Sequence, residues 1–294
     1  MSVGIAPTDL ATLRKEFHAD LCRNVLGVRG GGSGPPVYSN ADSYQKTSVD
    51  FAARLASRLP PAAAPMMKGS EVGSAFERTV LRFVSGALEL HPAFAIKRME
   101  VGPGRVISDF AQFAHLAELE AVVKAHPELE ATLGGHYLVK PDLVVSWPPF
   151  LDAELPAALD PGGPLARLSP SRADSPGGVL PILHASISCK WSIRSDRVQN
   201  TRTEALNLVR NRKGRTPHIV LVTMEPDPKR LSAIAIGTGD IDCVYHAALE
   251  ELREGAAEAA EASPARSGAH RRLEMMVDSS RLRDIADLPL DLLI

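Results

Sequence analysis

The chain has 294 residues, a formal net charge of −2, and hydrophobic and charged fractions of 45% and 23%. These proportions exclude an intrinsically disordered chain, and the near-neutral charge excludes a protein that coats nucleic acid through bulk electrostatic attraction. The N-terminal segment has no basic stretch followed by an apolar run, and the three widely spaced cysteines predict neither disulfides nor a zinc site. We therefore expect a soluble, cytoplasmic protein.

The N-terminal half of the chain contains three predicted helices. The first lies around residues 50–58, between loops rich in glycine and proline. Apolar residues then recur at helical spacing from Gly69 to about His91, which predicts a partly buried amphipathic helix. A further helix is expected over residues 110–126.

Two apolar strands follow, and each contains one polar residue of interest. The first covers residues 138–145 and contains Asp142 directly after Pro141, a residue that strands tolerate only at an edge or a bulge. The second covers residues 179–189 and leads into Lys190. Between them lies a segment rich in proline and glycine that is too long for an ordinary connection, so we predict an excursion with the two strands as neighbours in the sheet.

The C-terminal part of the chain continues the alternation of helices and strands. The elements predicted there, in chain order, are a helix over 203–212, a strand over 218–224, a strand over 231–236, a helix over 241–253, a linker over 255–269 and a tail over 288–294. This pattern predicts an α/β fold with a mixed central β-sheet flanked by helices. We expect one domain over 1–294, with N-terminal helices and loops in 1–68, a core in 69–254, and a linker and tail in 255–294.

Asp142 and Lys190 have the chemistry that metal-dependent phosphodiester hydrolysis needs, because carboxylates hold Mg²⁺ and a lysine can act beside the attacking water. A lone Pro-Asp pair is usually a turn, so only its pairing with Lys190 favours a nuclease. Such sites commonly place a second acid two residues before the lysine, where this chain has Ser188. We select Glu204, on the next predicted helix, as the replacement, although a solvated glutamate paired with a nearby arginine fits the sequence equally well.

The stretch from 190 to 215 contains eight basic residues and two acidic ones, which concentrates positive charge beside the predicted chemistry. Arg194 and Arg197 are three residues apart with Asp196 between them. A guanidinium can bind guanine O6 and N7 together, and a carboxylate can accept from cytosine N4. In a two-fold dimer these three side chains could read a palindromic CCGG core. Alone, the same motif is more typical of a surface salt bridge.

Taken together, these motifs resemble type II restriction endonucleases of the NgoMIV kind, which share the restriction-endonuclease-like fold. The resemblance covers about residues 69–230 and rests on the order and spacing of several short elements. These elements are Gly69-Ser70-Glu71-Val72-Gly73-Ser74-Ala75-Phe76-Glu77, Pro141-Asp142, Ser188-Cys189-Lys190, Arg194 with Asp196 and Arg197, Glu204, and Arg230.

The resemblance implies a Mg²⁺-dependent enzyme that cuts double-stranded DNA at GCCGGC after the first G, leaving four-base 5′ overhangs. It implies that Asp142, Glu77 and Glu204 are catalytic and hold the metal together with the backbone carbonyl of Cys189, while Lys190 acts on water and phosphate. Arg194, Asp196 and Arg197 would read the core. Arg230 and Ser70 would read the outer base pairs, with Ser70 replacing a glutamine of the family. A homotetramer is implied, with a homodimer as the minimum for a palindromic site.

Two other interpretations remain open on the sequence. One is a structure-specific or repair nuclease of the same fold, which would read the shape of DNA rather than its sequence. The other is a DNA-binding protein without catalysis, in which the acids are structural and no metal binds.

Overall fold

The computed structural model describes the greater part of the chain. The described residues are 9–30, 36–90, 92, 98–126, 128, 137–160, 163, 165, 168–173, 180–237 and 239–294, with the side chains of 195–197 left out. Within these residues no helix combines the length and the apolar character needed to cross a membrane.

A six-stranded sheet forms the centre of the molecule, and its strands follow the order of the chain. The strands are β3 (Glu100–Pro103), β4 (Leu143–Trp147), β5 (Ile182–Lys190), β6 (His218–Thr223), β7 (Cys243–His246) and β8 (Leu282–Asp284), and a separate two-stranded sheet pairs β1 (Val28–Arg29) with β2 (Val37–Tyr38). Pairing is antiparallel from β3 to β5 and parallel from β5 to β8. The predicted mixed α/β architecture is therefore confirmed.

Helices surround this sheet. Numbered through the described part of the chain, they are α1 (Leu10–Asn24), α2 (Lys46–Ala56), α3 (Gly69–Glu89), α4 (His115–Ala125), α5 (Ser195–Asn211), α6 (Pro228–Ala235), α7 (Leu249–Ala262), α8 (Ser267–Asp278) and α9 (Leu288–Asp291). The predicted amphipathic helix is α3, whose apolar face is buried against β5 while α1 packs along its length. Full burial of a side chain such as Phe76 or Phe83 contributes about 1.5 to 3 kcal/mol to folding.

The N-terminal and C-terminal parts of the chain are joined through Arg14 of α1. Its guanidinium donates to Glu251 of α7 at 2.7 and 2.8 Å and to Asp284 of β8 at 2.7 and 2.9 Å. Two bidentate contacts from one arginine are among the stronger polar interactions of proteins. They fix α1, and with it α3, relative to the parallel end of the sheet.

The strand predicted over 231–236 is wrong, because residues 231–235 belong to α6 and Ile236 directly follows it. Asp227 caps this helix by accepting from the backbone N–H of Lys229, and Pro228 occupies its first turn, where a missing N–H costs nothing. Leu231, Ile234 and Ala235 are buried at helical spacing. Over so few residues, the periodicity of an apolar run does not distinguish a buried strand from a short helix.

The helix predicted over 241–253 and the linker predicted over 255–269 also need correction. Residues 243–246 form the buried strand β7, and the helix begins only at Leu249. It then continues through the supposed linker to Ala262, and α8 begins at Ser267. Ala256 and Ala259 are buried, so the alanine-rich composition reflects close helix packing rather than a flexible connection.

Candidate active site

Asp142 and Lys190 meet where strands β4 and β5 pair, as the sequence predicted for neighbouring strands. Leu143 pairs with Ile187, and Asp142 immediately precedes the first residue of β4. Asp142 therefore lies just outside the strand rather than within it, so Pro141 removes no hydrogen bond from the ladder. This corrects the prediction of a strand over 138–145, since the regular strand starts at Leu143.

A glycine on the neighbouring segment allows the chain to approach Asp142 closely. The backbone N–H of Gly104 donates to the carbonyl oxygen of Asp142 at 2.9 Å. A Cβ atom at position 104 would lie 1.6 Å from the carbonyl oxygen of Pro141, which no other residue could tolerate. Gly104 thus helps to hold the Pro141-Asp142 backbone in its position at the sheet.

The carboxylate of Asp142 is bound by two donors through one oxygen. The Lys190 ammonium donates to Oδ2 at 2.7 Å, and the backbone N–H of Cys189 donates to the same atom at 2.7 Å. Both side chains are about one-fifth exposed, at 22% for Asp142 and 23% for Lys190. Although burial alone would lower the pKa of Lys190, the attraction and hydrogen bond of Asp142 raise it. Lys190 is therefore a cation at neutral pH.

Glu77 and Glu204 line the same cleft as Lys190, from α3 and α5 respectively. Burial is the main cause that raises the pKa of Glu77, and repulsion from Asp142 raises it further. Burial also raises the pKa of Glu204, where the attraction of Lys190 opposes the repulsion of Asp142. The structure thus brings together three acids and one lysine from α3, α5, β5 and the segment that leads into β4.

The cleft has a volume of about 270 Å³. Its lining residues are Gly69, Ser70, Gly73, Glu77, Cys189, Lys190, Trp191, Asn200 and Glu204. Phe76 and Trp191 pack edge to face with ring centroids 5.3 Å apart, which holds the start of α3, and Glu77 with it, against the end of β5. Asn200 was not identified from the sequence. Its position one turn before Glu204 on the same helix is the signal that could have found it.

The donor chemistry of the cleft fits Mg²⁺, which prefers carboxylate and carbonyl oxygens. Mutual repulsion among Asp142, Glu77 and Glu204 is relieved when a cation lies between them. Within the described residues, however, no three His, Cys, Asp or Glu side chains are already arranged to enclose an ion, and Oδ2 of Asp142 is occupied by Lys190. Burial raises the pKa of the Cys189 thiol well above its ordinary value, so the thiol is not a thiolate at neutral pH.

A second and larger cleft, of about 900 Å³, contains the described base-reading candidates Arg194 and Arg230. Gln199 and Lys229 also line it. Arg194 precedes the first residue of α5 and is exposed, and Asp196 and Arg197 belong to the first turn of this helix, although their side chains lie outside the described part. Ser70 lies in the smaller cleft, so the two candidates for the outer base pairs occupy different sites.

Arg230 is held by two acids that the sequence analysis missed. Its guanidinium forms an ion pair with Asp42 and lies 4.0 Å from a carboxylate oxygen of the fully buried Glu225. It also donates to the carbonyl oxygen of Ile193 at 3.1 Å. Asp42 lies in a polar loop 188 residues from Arg230, and no local pattern indicates a contact over that separation. Glu225 is only five residues from Arg230, but it follows a buried strand, and no local pattern indicates that its carboxylate turns towards this arginine.

Comparison with known proteins agrees with this geometry. A family model described as NgoMIV restriction enzyme matches residues 17–294. The type II restriction enzyme NgoMIV of Neisseria gonorrhoeae is 42% identical over 289 residues, which cover 95% of this chain and 96% of that protein. This similarity decides against a repair nuclease and against a silent DNA-binding protein. The chain belongs to the NgoMIV restriction enzyme family and is a type II restriction endonuclease, a site-specific deoxyribonuclease that binds double-stranded DNA.

Proposed function

We propose that this endonuclease is cytoplasmic and cleaves double-stranded DNA at GCCGGC, in a Mg²⁺-dependent reaction centred on Asp142 and Lys190. The observation that supports this most strongly is the 2.7 Å contact between Lys190 Nζ and Asp142 Oδ2, beside the cleft lined by Glu77 and Glu204. Phosphodiester hydrolysis requires an activated water, neutralised phosphate charge and a stabilised leaving oxygen. Three acids and a lysine can meet these needs.

The acids of the cleft hold the cation in this proposal. Asp142, Glu77, Glu204 and the backbone carbonyl of Cys189 would be its protein ligands. When bound, Mg²⁺ neutralises charge on the phosphate and lowers the pKa of water. This site was implied by the resemblance, and the facing carboxylates with raised pKa values support it.

Lys190 acts in this proposal as a hydrogen-bond donor, because its raised pKa keeps it protonated at neutral pH. It orients the attacking water and contacts a phosphate oxygen while Asp142 fixes its ammonium group.

Arg194, Asp196 and Arg197 read the CCGG core from the start of α5. The exposure of Arg194 and its place in the larger cleft support this assignment. Arg230 reads the outer base pair from the same cleft, and Ser70 approaches the DNA from the smaller one. The cut after the first G leaves four-base 5′ overhangs, with 5′-phosphate and 3′-hydroxyl ends.

A palindromic site requires two copies of the chain related by a two-fold axis, and we assign a homotetramer made of two such dimers. Several leucines of the excursion are exposed. These are Leu151 at 54%, Leu159 at 56%, Leu165 at 68% and Leu168 at 83%. We place the contact between the dimers on this segment, because several of its apolar side chains are exposed. Light scattering of the full chain should give the mass of four copies, and a monomeric mass would contradict the assignment.

Digestion of a sequenced plasmid with several GCCGGC sites, in Mg²⁺ and in EDTA, tests the proposal. Every end should be mapped to the base. We expect cuts only with Mg²⁺, only at GCCGGC, and after the first G. Cuts at a wider set of CCGG sites would contradict the assignment of the outer base pairs, and cuts in EDTA would contradict the metal site.

A further inference from the structure

The buried acid Glu225 lies directly behind the larger cleft. Its side chain is fully buried, just after strand β6. One carboxylate oxygen accepts from the backbone N–H of Ile193 at 2.7 Å, and the other accepts from the backbone N–H of Asp227 at 3.0 Å. Ile193 precedes Arg194, and Asp227 is the cap of α6, the helix that contains Arg230. A single carboxylate thus joins the two segments that present the base-reading arginines.

Arg230 contacts both Ile193 and Glu225 in this arrangement. It donates to the carbonyl oxygen of the same Ile193 at 3.1 Å and faces the carboxylate of Glu225 at 4.0 Å. Asp42 holds the outer side of its guanidinium. The position of Arg230 is therefore tied to the backbone that leads into Arg194.

A second contact joins the middle of α5 to the end of α6. Arg202 of α5 donates to Asp240 at 3.0 Å and to the carbonyl oxygen of Ala233 in α6 at 3.2 Å. The two helices are therefore connected near their starts through Glu225 and again through Arg202. Of these two residues Glu225 is the fully buried one, where loss of one hydrogen-bond partner costs most.

We propose that Glu225 is a positioning residue that sets Arg194 relative to Arg230, so that the core and the outer base pair are read together. Glu225 does not contact DNA in this arrangement. It acts through the two backbone segments that its carboxylate oxygens bind. The inference rests on the proposed reading of GCCGGC by these two arginines.

The ionised form of Glu225 suits this role, because each of its oxygens must accept a backbone N–H. An amide or a protonated carboxyl offers only one full acceptor. Burial raises the pKa of Glu225 to about 7, while the backbone donors and Arg230 lower it and Asp227 raises it. His246 faces the carbonyl oxygen of Glu225, and burial lowers its pKa to about 4, so it is neutral here. Both contacts should therefore form fully only above about pH 7.

Competition binding in Ca²⁺ tests the inference with Glu225→Gln. Affinity is measured for GCCGGC, for ACCGGT and for a scrambled duplex, at about pH 6 and about pH 8. At the higher pH, the variant should lose discrimination between these duplexes by roughly tenfold, the factor for one hydrogen bond to a charged group. Wild-type discrimination should decrease towards low pH, whereas that of the variant should stay constant.

Asp242→Asn is the matched control, because Asp242 also accepts a backbone N–H, that of Ile219, at the other end of β6. It should leave discrimination unchanged at both pH values. Discrimination by Glu225→Gln equal to that of wild type, or an equal loss on all three duplexes, would overturn the inference. A wild-type protein that does not distinguish the three duplexes would instead contradict the proposed function itself.

Discussion

The two clefts of this endonuclease differ in charge and in how they are built. The smaller cleft, which we propose to be the catalytic cleft, collects three acids around one lysine, and its Asp142 and Lys190 lie at the ends of two paired strands. The larger cleft, which we propose to be the base-reading cleft, presents arginines from the starts of two helices, and the remote Asp42 together with the buried Glu225 holds one of these arginines. The first is supported by the sheet, and the second by polar side-chain contacts.

This difference implies that chemistry and recognition can be lost separately. Removing a group from the catalytic cleft should stop cleavage and leave binding intact. Removing an arginine from the other cleft should reduce selectivity and leave the cation site unchanged.

Lys190→Ala should cause the largest effect. We expect a decrease in cleavage rate of roughly 10³-fold or more, because the phosphate and the attacking water lose their cationic partner. Specific binding to GCCGGC in Ca²⁺ should persist. Single-turnover cleavage and competition binding measure the two properties, and Lys140→Ala, which changes an exposed lysine near the same strand, should retain activity. Simultaneous loss of specific binding would contradict the separation of the two clefts.

Arg194→Ala should act in the opposite way. We expect specific binding to CCGG-containing duplexes to weaken by about 1 to 3 kcal/mol relative to scrambled DNA, because one bidentate base contact is removed. Titration of both duplexes under the same conditions gives the difference. Arg210→Ala, on the last turn of the same helix, should show no such selectivity change. Equal losses on both duplexes for Arg194→Ala would mean that this arginine contacts only phosphate.

The pH dependence of cleavage should reflect the catalytic acids. Burial and repulsion from Asp142 raise the pKa of Glu77, and burial likewise raises that of Glu204, above the ordinary 4.5. Both carboxyl groups therefore stay protonated to a higher pH than usual. We expect the cleavage rate to rise as the pH increases above 4.5 and these groups ionise. Because a cation binds only the ionised forms, more Mg²⁺ should move the midpoint to lower pH. Initial rates at several Mg²⁺ concentrations test this, and a midpoint independent of Mg²⁺ would oppose it.

The smallest expected effect is that of Glu225→Gln on the thermal stability of the protein. The folded-state pKa of about 7 lies above the unfolded value of 4.5, so the contribution of Glu225 to wild-type stability is largest at low pH and decreases as the pH rises through this window. The variant does not lose stability in this way, because the glutamine side chain does not titrate. Its melting temperature relative to wild type should therefore increase by a few degrees between about pH 5 and about pH 8. Thermal unfolding followed by circular dichroism measures both melting temperatures. A difference between variant and wild type that does not change with pH would contradict a buried Glu225 that titrates in this range.

The contrast between the two clefts also explains what the sequence could predict. The neighbouring strands and the amphipathic helix α3 follow from local apolar patterns, which is why Asp142 and Lys190 were placed together correctly. Asp42 and Glu225 were missed because their contacts with Arg230 and Ile193 depend on tertiary packing. The alanine-rich part of α7 was read as a linker, since composition alone does not distinguish close helix packing from a flexible segment.

The convergence of Asp142, Glu77 and Glu204 on one cation is tested most directly by calorimetric titration of Ca²⁺ into the protein bound to a GCCGGC duplex. We predict a binding heat for wild type that disappears in Asp142→Ala, while this variant still binds the duplex. An equal heat in both proteins would show that the cation binds elsewhere and would contradict the catalytic cleft proposed for this enzyme.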